Sequence, residues 1–268
     1  MGAKLSGRKA LVVGASSGIG KEIGLTLAGL GADVAFHGRR AELLQAAVDA
    51  AGSGSVVVGD LGESGQAEAI VDAAASQLGG LDLVIHAASA SKLGLVRDLE
   101  LDDWTQLYAT NVFAPALVMQ AALNHLSDSG IAAVISSESV GLPYHGLVPY
   151  GSSKAALEEL VRGYRLEHPE HRFCCIRVGA TGPTDFARDF DIELAAELIA
   201  KWIAVGRMAA QSMQVDEVGR AIGEYLATSL LAPSIELQDV ILRPAGGPHT
   251  GGIEALMGDL EEIQASEA

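Results

Sequence analysis

Short apolar runs alternate along this chain with longer stretches whose apolar residues recur every three to four positions. The runs at 9–13, 32–36, 55–59, 81–86, 131–136, 173–178 and 238–242 have the length and β-branched content of buried strands. Between them, the 3.6-residue period predicts a helix that follows a glycine-rich turn and ends at Gly31, then helices over 41–51, 65–78, 102–126, 152–167 and 216–226. Asp102 reads as the N-cap of the fourth of these. Strands that alternate regularly with helices build a parallel sheet covered on both faces, so the expected class is α/β, doubly wound, with about seven strands. No flexible linker breaks the rhythm, and residues 1–268 are expected to form a single domain.

The rhythm lapses once, over 184–214. That stretch is amphipathic, through Leu194, Leu198, Ile199, Trp202 and Ile203, but follows no strand directly. A connection of this length in a compact domain usually marks a functional loop. Its apolar face either packs on the body of the domain or closes over a ligand as a lid, and the sequence leaves both open.

Composition narrows the partners. The chain is 49% hydrophobic with a net charge of −16, which argues against a nucleic-acid or anionic-membrane surface. There is no run of 18 apolar residues and no charged-apolar-small leader, so a soluble, cytoplasmic protein is expected. Cys174 and Cys175 adjoin in an apolar run and read as core thiols in a reducing compartment. His168 and His171 flank Pro169 in what reads as a surface turn, and no metal site is expected.

Candidate chemistry sits at two places. Between the first strand and first helix lies Gly14-Ala15-Ser16-Ser17-Gly18-Ile19-Gly20. Glycines there permit a tight turn and close approach of backbone to a pyrophosphate, and the helix N-terminus offers free N–H groups to the anion. The same letters fit GxSxG, the turn that presents a hydrolase serine, with Ser16 as nucleophile and Asp185 and His249 downstream. Only thirteen residues precede Gly14, too few for the strands and oxyanion loop that turn requires. The second place is Tyr150-Gly151-Ser152-Ser153-Lys154 at the head of a helix. Tyr150 and Lys154 lie one turn apart on one face, and an ammonium near a phenol favours the phenolate. That pairing suits proton exchange with an alcohol or carbonyl.

Taken together, these motifs resemble the short-chain dehydrogenases/reductases, from Ser6 to about Gly247. The turn matches at Gly14, Gly18 and Gly20, and Tyr150 and Lys154 match the family's YxxxK pair. Ser137, thirteen residues before Tyr150, falls at the catalytic serine, and Asn111 at the tetrad asparagine. Asp60 with Leu61 resembles the acidic residue at the adenine ring. The chain departs from the family at Val13, where Thr is usual, and at His86-Ala87-Ala88, where Asn-Ala-Gly is usual. It departs again at Val178-Gly179, where Pro-Gly is usual, with Thr181 and Thr184 as candidates for a displaced Thr.

The resemblance implies a Rossmann-type fold, with a cofactor half over about 6–100, a catalytic and substrate half over about 101–250, and an acidic tail over 251–268. It implies a homotetramer or dimer built on the helices that begin near Asp102 and Ser152. It also implies a carbonyl–alcohol oxidoreductase in which Tyr150 is the acid/base and Lys154 lowers its pKa and binds the nicotinamide ribose. Ser137 would hold the substrate oxygen, and Asn111 a water that links Lys154 to solvent. The implied cofactor contacts are Gly14, Ser16, Ser17, Gly18, Ile19, Gly20, Arg39, Asp60, Leu61, Ala87, Ala88, Tyr150, Lys154, Gly179 and Thr181.

A non-catalytic nucleotide sensor on the same scaffold is the alternative, and the filled tetrad argues against it. The second strand ends Phe36-His37-Gly38-Arg39-Arg40, with no acid at Gly38, which favours NADP over NAD through Arg39 and, more weakly, Arg40. The segments expected to line a substrate pocket, 89–96, 141–148 and 184–214, are largely apolar. They suit an apolar or mid-sized carbonyl or alcohol.

Overall fold

In the computed structural model, which describes residues 4–209 and 211–246, each apolar run becomes a strand or part of one. The first half alternates β1 (Lys9–Val13), α1 (Gly18–Gly29), β2 (Asp33–Gly38), α2 (Ala41–Ala51), β3 (Ser55–Val58), α3 (Gln66–Leu78) and β4 (Leu81–His86). The second half runs α4 (Leu101–Tyr108), a π turn (Ala109–Phe113), α5 (Ala114–Ala122), β5 (Leu126–Ser137), α6 (Val148–Glu167) and β6 (Arg172–Val178). It closes with β7 (Thr181–Gly182), α7 (Ile192–Ala204), β8 (Met213–Gln214), α8 (Val215–Leu231) and β9 (Asp239–Leu242).

Seven strands form one parallel sheet in the order β3-β2-β1-β4-β5-β6-β9, while β7 and β8 pair separately. The chain moves outward from β1 to β3 and then crosses back to β4, so the order reverses between β1 and β4. A crevice opens beyond the carboxyl ends of the strands at such a reversal. One apolar layer, with Val12, Ile23, Leu27, Phe36 and Ile222, packs α1, α2 and α8 on one face. Another, with Leu11, Val13, Ile70, Val84 and Val118, packs α3 and α5 on the other. The result is a single Rossmann-type domain. The tail over 251–268 and His249 lie outside the described residues.

Several helix boundaries differ from the sequence expectation: α8 runs on to Leu231, and two other helices differ for local reasons. The single helix over 102–126 is broken into α4, the π turn and α5, and Leu126 belongs to β5. Pro115 has no N–H to donate to the Asn111 carbonyl four residues back, so the regular ladder cannot continue there. The N-cap is Glu100 rather than Asp102, because Asp103 reaches back to accept from the Glu100 backbone N–H at 3.1 Å. Helix α6 starts at Val148 rather than Ser152, with Pro149 in its first turn, where a missing N–H costs nothing. Cys174 and Cys175 are buried free thiols of β6.

Candidate active site

The crevice at the β1/β4 reversal has a volume of about 1260 Å³. That exceeds the usual 300–1,000 Å³ of a small-ligand pocket and accommodates a dinucleotide together with a substrate. Every cofactor residue expected from the sequence borders it, as do Ser137, Tyr150 and Lys154. Asn111 lies behind the wall, fully buried.

The glycine-rich turn has the geometry of an anion cradle. Gly14 has φ of 85°, and a Cβ there would lie 2.6 Å from the Ala88 nitrogen. A Cβ on Gly20 would lie 2.2 Å from the Gly14 carbonyl oxygen. Neither position admits a side chain. The first turn of α1 carries no acidic residue, so its N–H groups face the crevice without a competing carboxylate in that turn. These features fit a dinucleotide pyrophosphate. Ser16, the alternative nucleophile, accepts a hydrogen bond from Arg40 at 3.2 Å, and Asp185 accepts instead from Ser17, at 2.9 Å.

Tyr150 and Lys154 stand in the first two turns of α6, on its buried face. The Ser137 and Ser89 hydroxyls lie within reach of the Tyr150 hydroxyl and act to lower its pKa. Burial outweighs them and raises the phenol above its usual value. This corrects the expectation that Lys154 sets a lowered Tyr150 pKa. The Lys154 ammonium donates to the Ile135 carbonyl at 3.0 Å and lies 5.8 Å from the centre of the Tyr150 ring. Burial pushes Lys154 itself down to about 8, against the partial support of Cys175 and Glu158.

Asn111 uses all its amide valences. Its Oδ1 accepts from the Ala90 N–H at 2.8 Å and the Ser89 hydroxyl at 3.1 Å. Its Nδ2 donates to the Ala90 carbonyl at 2.9 Å and the Ser153 hydroxyl at 3.0 Å. The side chain therefore ties the loop after β4 to α6 and keeps no amide valence for the expected water. Ser89 is bonded to Asn111 and stands near the Tyr150 hydroxyl, a place the sequence did not reveal. The only signal was its place just after the divergent His86-Ala87-Ala88.

The divergent His86 is buried beside this network, and His37 is buried on the far side of β1. Both align with Val13 in the sheet register. Burial pushes His86 down to about 3 and His37 to about 4. Among the described residues, His86 Nε2 and His37 Nδ1 have no hydrogen-bond partner.

The two arginines after β2 lie differently. Arg39 projects outward, its side chain 76% exposed, and pairs with Asp60 at 3.9 Å. Arg40, expected to be the weaker partner, folds back over the glycine-rich turn and donates to Ser17 at 3.0 Å. It also pairs with Asp185 at 3.4 Å, and Asp185 in turn pairs with Arg188 at 2.6 Å.

At the other end of the crevice is an apolar pocket. The face of α7 formed by Leu198, Ile199 and Trp202 is buried against Leu93, Leu147, Tyr150 and Phe190. Tyr150 meets Phe186 edge to face, and Tyr144 meets Trp202 in the same way, with ring centres 5.1 and 5.5 Å apart. Helix α7 is thus packed on the domain body, and it forms one wall of the pocket.

This fold and this site are those of a nicotinamide-dependent oxidoreductase. A short chain dehydrogenase family model matches residues 8–198. Gluconate 5-dehydrogenase of Gluconobacter oxydans is 31% identical over 229 residues, which cover 81% of this chain and 87% of the relative. A short chain dehydrogenase of Burkholderia cenocepacia, solved in complex with NADP, superposes with a TM-score of 0.76 at 28% identity, over 89% of this chain and 97% of that one. A short-chain dehydrogenase/reductase of Serratia marcescens gives 0.77 at 26%, with the same two coverages. The chain belongs to the short-chain dehydrogenase family. Its members bind NAD(P) and act on small molecules. Among the described residues no helix is long and apolar enough to cross a membrane, and no group of His, Cys, Asp or Glu is placed to hold a metal.

Proposed function

We propose that this protein interconverts a carbonyl and a secondary alcohol on an apolar, mid-sized substrate, with NADP(H) preferred over NAD(H) and Tyr150 as the general acid/base. One observation carries the reading: the Tyr150 hydroxyl, with the Ser137 and Ser89 hydroxyls beside it, stands where the glycine-lined crevice meets the aromatic pocket. When bound, the nicotinamide supplies or accepts the hydride. In reduction Tyr150 gives its phenolic proton to the carbonyl oxygen, and in oxidation it takes that proton back. Ser137 holds the substrate oxygen. Lys154 holds the nicotinamide ribose and, while charged, favours the phenolate. The Asn111 carbonyl holds a water on the path from Lys154 to solvent.

Ser16, Ser17, Arg40 and Arg39 together support NADP. Three are already within one hydrogen-bonded set at the turn, and no carboxylate stands at Gly38 to repel a 2′-phosphate. The NADP complex of the Burkholderia relative is in keeping with this. A homotetramer or dimer follows from the same reading. Phe113 and Leu117, 57% and 49% exposed, form an apolar strip beside α4 and α6 that supports such an interface. The two unpaired thiols support a reducing, cytoplasmic setting. The test is a panel of aromatic and aliphatic ketones with NADPH, and of the matching alcohols with NADP+, followed at the nicotinamide absorbance. No turnover of any apolar member would overturn the reading.

A further inference from the structure

Three residues of α6 at intervals of four are buried together, and each grips the end of β5. Tyr150 lies beside Ser137, Lys154 donates to the Ile135 carbonyl, and Glu158 accepts from the Ser136 hydroxyl at 2.7 Å. The third contact is unexpected. Glu158 is 3% exposed, and a buried carboxylate is costly unless it is paired and hydrogen-bonded. Arg177 of β6 supplies the pairing through Nε at 2.7 Å and a second bond from Nη2, a two-pronged clamp. With Ser136, that leaves the carboxylate fixed in a single place, one helical turn beyond Lys154.

We propose that Glu158 is a positioning residue for the reaction. Clamped by Arg177 and Ser136, it is the anion that keeps the buried Lys154 ammonium charged and in place beneath Tyr150. The proposal rests on the assignment of Lys154 to the catalytic group. The other charged and titratable groups that face this set include Tyr150 and Arg162 on α6, His86 on β4, Cys175 and Arg177 on β6, and Asp239 on β9; Arg162 is a cation and supports Glu158 rather than Lys154. His86 and Arg177 oppose an ammonium or leave it unsupported. Cys175 favours it only as a thiolate, and burial pushes that thiol up to about 12, so it is neutral where Lys154 titrates. Asp239 acts on Arg177 from the exposed edge strand. Glu158 is therefore the group whose negative charge supports Lys154 at neutral pH.

The test reads the amine directly. The ε-carbon resonance of Lys154, labelled with 13C and assigned by its loss in Lys154→Gln, is titrated in wild type and in Glu158→Gln, Glu158→Asp and the double variant Glu158→Gln/Arg177→Met. The double variant removes both charges, so no cation is left unpaired in the fold. The wild-type midpoint is expected near 8. Loss of an adjacent opposite charge typically moves such a group by about one unit or more, so Glu158→Gln should lower the midpoint by at least about tenfold in proton affinity. The double variant should lower it in the same direction, and Glu158→Asp should restore most of it. A midpoint unchanged in Glu158→Gln and in the double variant, even with reduced thermal stability, would make Glu158 a purely structural residue and overturn the proposal. Failure of the oxidoreductase reading would appear elsewhere, as absent nicotinamide-dependent turnover in the wild type.

Discussion

Trp202 Nε1 donates to the His145 carbonyl at 2.9 Å and so fastens α7 to the loop before α6. The indole is 8% exposed and lies edge-on to Tyr144, within the pocket wall. Trp202→Phe keeps much of the ring but loses the bond, and should cost about 1 kcal/mol of stability in a denaturant titration. Trp202→Ala should enlarge the pocket and raise kcat/KM for bulky relative to small ketones, with cofactor affinity unchanged. Because this face is already packed, amide exchange over α7 should be slow in the free protein. Fast exchange there that slows only with both ligands would restore the lid.

Tyr150→Phe removes the proton donor and leaves the buried ring in place. Turnover should fall by roughly 10²- to 10⁴-fold, the usual worth of a positioned acid. Cofactor affinity, measured by fluorescence titration, should stay within a few-fold. Full turnover in this variant would remove Tyr150 from the mechanism.

Arg40→Ala should weaken NADP binding more than Arg39→Ala does, because Arg40 is the one held over the glycine-rich turn. A charge-assisted bond to phosphate is worth about 1.5–3 kcal/mol, which corresponds to roughly ten- to a hundredfold in Kd. NAD affinity should change little in either variant. Calorimetry with both cofactors decides the order, and equal losses for NAD and NADP would end the phosphate assignment.

The two buried histidines should make the fold acid-sensitive. Their folded pKa values, about 3 for His86 and about 4 for His37, lie below the ordinary value of 6.5. Below pH 6.5 the unfolded chain therefore binds protons that the folded chain refuses, and stability falls as pH drops from about 6.5 toward 4. At pH 5 each histidine should account for about 2 kcal/mol of that loss. Urea midpoints measured at pH 7 and pH 5 should converge in His86→Asn relative to wild type. An equally steep loss in that variant would place the acid sensitivity elsewhere.

Leu117→Asp should shift the proposed homo-oligomer toward smaller species in light scattering. It introduces a charge in an exposed apolar strip and leaves the core untouched. An unchanged mass would exclude this strip from the interface.

Periodicity alone placed nearly every strand and helix, because side-chain spacing reports which face of an element is buried, and that is a local property. The glycine-rich turn was legible for a similar reason. The φ of Gly14 and the close approach of Ala88 leave room for no other residue type, so the chemistry is written in the letters. Tyr150 and Lys154 were legible because one helical turn separates them.

Partners brought together from distant elements were not legible. Arg39 and Arg40 differ by one position, and only the path of the chain beyond β2 turned the second back toward Ser17 and Asp185, 145 residues away from it in the case of Asp185. Ser89 reached Tyr150, and Glu158 found Arg177, only once β4, β5, β6 and α6 had been packed together. The raised phenol of Tyr150 is of the same kind: proximity to Lys154 in sequence predicts a lowered pKa, but burial acts through every neighbour at once and prevails. Local spacing fixes which residues an element presents, whereas desolvation and long-range pairing exist only in the assembled fold.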